Sequence, residues 1–358
     1  MNVEATVTLA FAIILSALGA ILGQPHSKQS TKIGVEIFIV SGLSLGVLLT
    51  PLPINRYLLI GVLGYAAFSL FTSHRAGMGK TISLAQLILI ILFVLSSSWL
   101  DQPFFNLAQL FLVVTLVPLP PFHMPFVSLV GSSQRTPPAL WTTVFLALGL
   151  AELHQVAALM PGDAHFAISM LALGSAFYAS VKCLGQVQIR SLLTYATIAQ
   201  VSLLWGLTPV FSAFAQWGIS FGLTIALVMT GLIVSYQFVQ QRFGSKNIGA
   251  LPGMVTAMPR LGTILIILIS LAVMLPVIPV LTGLTTLPTV GNQDVSLIVI
   301  SLIMLSVWAF GSWYYAHLLH QTAFGKARSD ISYADLKTTE TCALTLLIAG
   351  ASYSGFLY

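Results

Sequence analysis

Residues 261–274 read Leu261-Gly262-Thr263-Ile264-Leu265-Ile266-Ile267-Leu268-Ile269-Ser270-Leu271-Ala272-Val273-Met274, fourteen positions without a charge. Wound at 3.6 residues per turn, this run is apolar on every side and leaves no face for water. It does not alternate between polar and apolar residues either, as a barrel strand would. One such helix could be the buried core of a soluble protein. Working outward in both directions, the same texture recurs near 4–23, 33–52, 57–72, 82–100, 105–120, 137–158, 164–184, 191–209, 212–238, 261–284, 295–317 and 340–358. A hydrocarbon layer of about 30 Å takes roughly 20 apolar residues per helix. The expectation is an all-α, polytopic membrane protein of about twelve transmembrane helices, because only helices or closed barrels satisfy their backbone groups in lipid.

Composition excludes the alternatives. The 358 residues are 57% hydrophobic and 6% charged, with a mean hydropathy of +0.96, where a soluble domain carries about 25% charged residues. A soluble enzyme is ruled out. Cys183 and Cys342 lie far apart in apolar surroundings, with no CxxC or Cys/His spacing, so no metal centre, iron–sulfur cluster or other cofactor is expected. The net charge of +5 arises from basic residues scattered singly between apolar runs, and no nucleic-acid partner is expected.

The basic residues instead test the span count. Twelve spans place Lys28, Lys32, Arg75, Lys80, Arg135, Lys182, Arg190, Arg242, Lys246, Arg260, Lys326, Arg328 and Lys337 on one side and only Arg56 on the other, 13 of all 14. By the positive-inside rule the first side is cytoplasmic and both termini face the opposite side. With Glu4 and no basic residue before the first run, a cleaved signal peptide is not expected. The longest cytoplasmic segments, Val239–Arg260 and Leu318–Thr339, are about twenty residues each, short of the roughly 50 that a small domain needs. The chain acts inside the bilayer or through partner subunits.

Several strings carry a resemblance. Val117-Pro118-Leu119-Pro120-Pro121-Phe122-His123, followed by Thr136-Pro137-Pro138-Ala139, is similar to the pattern VPLFPFHxWLPDA…PTPVS of the antiporter-like membrane subunits of complex I (NADH:quinone oxidoreductase), group 4 hydrogenases and Mrp antiporters. Gln188-Ile189-Arg190-Ser191-Leu192-Leu193-Thr194-Tyr195-Ala196-Thr197 resembles their DLKRLLAYSS. Ala250-Leu251-Pro252-Gly253 with Met258-Pro259-Arg260-Leu261 resembles GGLxxxMPRL, and Ser270-Leu271-Ala272 with Leu275-Pro276-Val277-Ile278-Pro279 resembles SLAGLPPLPGF. Trp313-Tyr314-Tyr315-Ala316, Ala323-Phe324-Gly325 and Gly355-Phe356-Leu357-Tyr358 resemble the YYLRxxxxxFFG and LGLYP endings. Each string is weak alone, and their shared order over residues 105–358 carries the weight. This division makes 105–358 an antiporter-like transmembrane core and 1–104 a set of N-terminal helices without a quotable motif. Relatives usually have fourteen helices, so the resemblance implies that two are missing near the N-terminus.

The resemblance implies a membrane-arm subunit of a redox-driven, proton-translocating assembly, seated beside other membrane-arm subunits in an energy-transducing membrane. Two alternatives are a structural scaffold without ion transport and an Mrp-type cation/proton antiporter component. It also implies protonatable side chains at membrane depth, and here the sequence departs from its relatives. Ala147-Leu148-Gly149 stands where they read Lys-Met-Gly, Phe221-Gly222-Leu223-Thr224-Ile225-Ala226-Leu227 replaces HALTKAL, and the runs 57–72 and 82–100 hold no acid. The proton-path candidates that remain are Glu152, Lys182, Arg190 and His123. Glu152 lies within an apolar run, where a carboxylate is costly unless paired, and is either partnered by another helix or subunit or set near the outer interface. His154, two positions on, points to a different face. Arg190 matches the lysine of the DLKRLLAYSS string and either anchors a helix start or organises water, since guanidinium holds its proton too firmly to relay it. Lys182 is a relay amine or a snorkelling anchor. His123 either orders its loop or moves protons, and the same applies to His317 and His320. Pro276 and Pro279 mark either a discontinuous helix, as ion pathways use, or a plain kink. Gly79-Lys80-Thr81 resembles the end of a phosphate-binding loop, but His74 occupies the place of its first glycine and no nucleotide domain follows.

Overall fold

The computed structural model describes residues 3–22, 28–73, 77–96, 102–132, 137–157, 162–207, 214–244, 247–250, 252–277, 294–327 and 333–355. Among these residues the chain forms fourteen helices: α1 Val3–Leu22, α2 Lys28–Leu49, α3 Ile54–Phe71, α4 Met78–Ser96, α5 Gln102–Leu116, α6 Met124–Ser132, α7 Pro138–Ala157, α8 Gly162–Leu184, α9 Ile189–Leu207, α10 Phe214–Phe243, α11 Met254–Ala257, α12 Pro259–Met274, α13 Asp294–Thr322 and α14 Thr338–Gly355. Eight of them are long and apolar enough to cross a membrane unaided, and α5 and α12 are shorter apolar helices. Each of the twelve spans expected from the sequence contains one long helix; α6 and α11 are additional.

Burial identifies the axis of the bundle. The apolar windows of α7 and α10 are 89% and 94% buried, against 28% for α2 and α4, so α7 and α10 stand inside and α2, α3 and α4 form an outer flank of the bundle. Phe38, Phe68 and Phe71 on that flank point outward, as a lipid-facing surface permits. α8 and α9 form a tight antiparallel hairpin, and α10 packs against both α7 and α14.

The end of the bundle holding Lys32, Lys80, Lys182, Arg242 and Arg260 is tied by polar contacts. The Asp335 carboxylate accepts hydrogen bonds from the backbone N–H groups of Arg260 (3.1 Å) and Leu261 (3.3 Å), capping α12 from a distant segment. Arg242, in the last turn of α10, pairs with Glu340 in the first turn of α14 and donates to the carbonyls of Ala334 and Asp335. Both charges complement their helix ends. Gly253 sits at φ 75°, and a Cβ there would meet the Ala327 nitrogen at 2.6 Å, so glycine is required where the α11 turn crosses the segment after α13.

Candidate functional site

Between α5 and α6 the helix stops for seven residues, Val117 to His123, and then resumes. The sequence reading took 105–120 as one continuous span followed by a loop. The structure instead places the interruption inside the bundle. Phe122 lies level with Gln86, midway along α4, and Val117 lies against Gly149 of α7, whose missing Cβ would come 2.9 Å from the Val117 nitrogen. Thus α5 and α6 are two halves of one discontinuous span, and twelve spans account for thirteen of the helices.

Proline chemistry explains the break. Pro118, Pro120, Pro121 and Pro125 supply no N–H, so the helical bonds they would make are missing and nearby carbonyls lose their partners. In a bilayer such carbonyls must be satisfied by protein or by water. Here side chains from neighbouring helices supply the donors. The Trp205 indole N–H of α9 donates to the Val117 carbonyl (3.2 Å), and the Ser175 hydroxyl of α8, which is 2.7 Å from the Leu171 carbonyl of its own helix, lies 3.3 Å from the Pro120 carbonyl. From α4, the Gln86 amide donates to Phe122 (2.7 Å), and the Ser83 hydroxyl lies within 2.9 Å of the Gly79 and Met124 carbonyls and 2.6 Å from the Ser128 hydroxyl. Leu116, Val117, Leu119 and Pro120 are buried, and Ala147 and Leu148 of α7 are buried beside them. The stretch from Val117 to Pro120 is thereby covered by protein donors and apolar side chains, while Pro121 and Phe122 are exposed.

The candidate residues fall at two separate depths. His123 is buried at the end of the break, with its ring centroid 6.3 Å from those of Tyr178 on α8 and Tyr195 on α9. Lys182 is exposed one turn further along α8, its ammonium 5.8 Å from the centre of the Tyr178 ring. The structure therefore brings His123 and Lys182 to two sides of one tyrosine. Arg190, half-buried in the first turn of α9, lines a cavity of about 20 Å³ with Tyr236, Gln237 and Gln240 of α10, roughly room for one water. These groups belong to the basic half of the bundle.

Glu152 is not among them. It is buried near the other end of α7, where its carboxylate oxygen lies 3.3 Å from an Arg56 guanidinium nitrogen in the first turn of α3. Arg56, the lone basic residue that sequence reading set on its side of the membrane, is thus the charge partner that Glu152 requires. His154 is half-buried in the last turn of α7, while His317 and His320 are exposed on α13 at the basic end. Between the two polar clusters, the break and its facing stretch of α7 present the apolar residues Leu116, Val117, Ala147 and Leu148. α12 ends at Met274 with Leu275 as its cap and Pro276 buried in the following turn, and Pro279 lies outside the described residues. Sequence reasoning passed over Glu36, a half-buried acid in Val35-Glu36-Ile37 of α2. The signal that singled out Glu152, an acid inside an apolar run, was present there too. No cluster of three His, Cys, Asp or Glu suited to a metal occurs among the described residues.

Comparison with known proteins agrees with this architecture. Subunits of known structure share the fold: one in respiratory complex I from Thermus thermophilus with bound NADH (TM-score 0.77, 18% identity, 99% of this chain and 85% of that one) and one in the membrane-bound sulfane sulfur reductase, an archaeal respiratory membrane complex (0.76, 14%, 98% and 64%). A chain of the Mrp complex from Dietzia sp. DQ12-45-1b is similar at TM-score 0.68 and 13% identity, over 94% of this chain and 68% of that one. A search of curated protein sequences returned no match. A family model described as NADH:quinone oxidoreductase/Mrp antiporter, transmembrane, matches residues 8–312, starting inside α1 and running into α13. The match covers most of the chain, and the chain belongs to the NADH:quinone oxidoreductase/Mrp antiporter transmembrane family.

Proposed function

We propose that the chain is a membrane-arm subunit of a complex-I-like, redox-driven proton-translocating assembly, and that its own proton path is reduced or lost. The observation that carries this reading is the shielded break: the Val117 and Phe122 carbonyls take hydrogen bonds from Trp205 and Gln86, and the Ser175 and Ser83 hydroxyls lie against the Pro120 and Met124 carbonyls. A conducting break needs those groups for water and needs a protonatable side chain beside them. His123 stands at one end of this break, and Leu116 and Ala147 continue it with apolar side chains that supply neither. On this reading Glu152 with Arg56 and His123 with Lys182 are two half-sites without a link. Redox chemistry belongs to other subunits, and partners are neighbouring membrane-arm chains. The chain sits in an energy-transducing membrane with the Lys32, Lys80, Lys182 and Arg260 end cytoplasmic and both termini on the opposite side.

The test uses the assembled complex in proteoliposomes, with protons moved per electron pair as the readout. Glu152→Gln and Arg190→Ala are expected to leave that ratio unchanged while the complex stays assembled. A fall in either variant would restore a pumping role to this chain. The Mrp-type alternative draws on the fold shared with the Dietzia complex. Sodium-dependent proton exchange by the isolated chain and its partners, without an electron donor, would favour it.

A further inference from the structure

Three buried polar atoms near the basic end of α3 and α7 have no hydrogen-bond partner among the described residues: the indole nitrogen of Trp141, in the first turn of α7, and the hydroxyl oxygens of Ser69 and Ser73, at the end of α3. Trp141 is 0% exposed and Ser69 5%. The Tyr65 ring of α3 stacks on Trp141, with centroids 6.3 Å apart and planes 29° from parallel. Ser69 follows Tyr65 by four residues and shares its face of the helix. Ser73 continues the same spacing just past the helix end. Trp141 is the fourth residue of α7 and Ser69 the third from last of α3, so the two stand at one level. The Lys80 ammonium donates to the Phe71 (3.1 Å) and Ser73 (2.7 Å) carbonyls, which sets Ser73 at the margin where a lysine head meets water.

We propose that these three groups hold one or two buried waters, entering between α3 and α7 at Ser73 and ending on the Trp141 indole. An indole N–H only donates, whereas a hydroxyl donates and accepts. A water that accepts from Trp141 and bonds Ser69, with a second between Ser69 and Ser73, satisfies all three. Buried polar groups left unpaired are rare, and waters that serve them make about three hydrogen bonds each. The three atoms are cut off from the surface, so the ligand is small. A lipid tail carries no acceptor for the indole. The waters point along the seam that Arg56 and Glu152 close from its other end. They stop short of that pair, because Leu59, Val62 and Leu63 are buried in the turns of α3 between, where Tyr65 and Arg56 are about 14 Å apart along the helix. The site stands whether or not protons cross the chain.

The experiment is hydroxyl-radical footprinting by X-ray pulse on the full chain with its partners, read by mass spectrometry. Radicals formed from a bound water label the side chain beside it, even where bulk solvent is excluded. Trp205 supplies the internal reference: it is 1% exposed, but its N–H already donates to the Val117 carbonyl. Trp141 is expected to be labelled about tenfold faster than Trp205 in wild type. Equal rates at the two tryptophans overturn the site. Ser69→Val removes the hydroxyl and fills its place, and is expected to lower Trp141 labelling about fivefold while the Trp205 rate stays as it was. Ser41→Ala is the control, since the Ser41 hydroxyl donates to the Ile37 carbonyl of its own helix, and it is expected to change neither rate. Undiminished Trp141 labelling in a folded Ser69→Val chain overturns the assignment to Ser69. The wild-type comparison needs no substitution, so it decides the site even where Ser69→Val does not fold.

Discussion

Replacing Arg56 by Leu strands the Glu152 carboxylate. The two charges are 3.3 Å apart, with side-chain exposures of 16% for Arg56 and 5% for Glu152. At an effective dielectric of about 20, their attraction is about 5 kcal/mol. Desolvation offsets most of that in the intact pair, so the pair as a whole contributes little net stability. Removing one partner is different, because the remaining carboxylate loses its compensation without regaining water. Such losses are about 3–5 kcal/mol, and the partial hydration of Arg56 argues for the lower part of that range. Glu152→Leu leaves the more exposed guanidinium behind and is expected to cost about 1–2 kcal/mol, since Arg56 can turn toward the interface. The double variant is expected to unfold within about 1 kcal/mol of wild type. The assay is a double-mutant cycle on the full chain in detergent micelles, reading reversible unfolding by tryptophan fluorescence. A coupling energy below about 0.5 kcal/mol would refute the reasoning, as would a double variant less stable than Arg56→Leu alone.

Other outcomes follow from close contacts and caps. Gly149→Ala puts a methyl against the Val117 backbone and is expected to cost about 1–3 kcal/mol. Gly174→Ala on the exposed face of α8, where nothing lies within 4 Å, is expected to stabilise by about 0.5–1 kcal/mol; thermal unfolding of the two variants side by side checks both. Trp205→Phe removes the pyrrole half of the indole and leaves the buried Val117 carbonyl without its donor, a loss of about 1–3 kcal/mol from the hydrogen bond alone, and hydrogen exchange should quicken in α5 and α6 before other helices. Asp335→Ala removes the cap from α12 at about 0.5–2 kcal/mol, and proteolysis near Arg260 reports it.

The spans were legible because their signal is local and additive. Twenty apolar residues state their own membrane preference whatever they pack against, and α1, α7 and α14 start and stop within a few residues of where hydropathy sets them. The break was not legible. Prolines in Val117-Pro118-Leu119-Pro120-Pro121 announce that the helix stops, but a loop outside the bilayer and a gap inside it share that signal. Depth is decided by Gln86, Ser83, Ser175 and Trp205, which come from three other helices. The sequence left Glu152 open between a partner on another helix or subunit and a place near the outer interface. Arg56 looked like a lone interfacial anchor, because nothing local to either residue records that α3 and α7 bring them together. The split of the candidate residues was partly legible, since the span count already set Lys182 and Arg190 on the side opposite Arg56.

The packing of α1 against α10 and α14 sets an order of events during synthesis. α1 enters the membrane ahead of the other helices described, yet one of its neighbours begins only at Thr338. At about 5–20 residues per second, the roughly 300 residues in between take about 15–60 s. Throughout that interval the side of α1 carrying Leu15 and Gly19 lacks Leu347 and Gly350 to pack against. A ribosome stalled before Thr338 would therefore leave a chain with most of its crossings inserted and an open seam along its first helix, a form that membrane quality control could recognise.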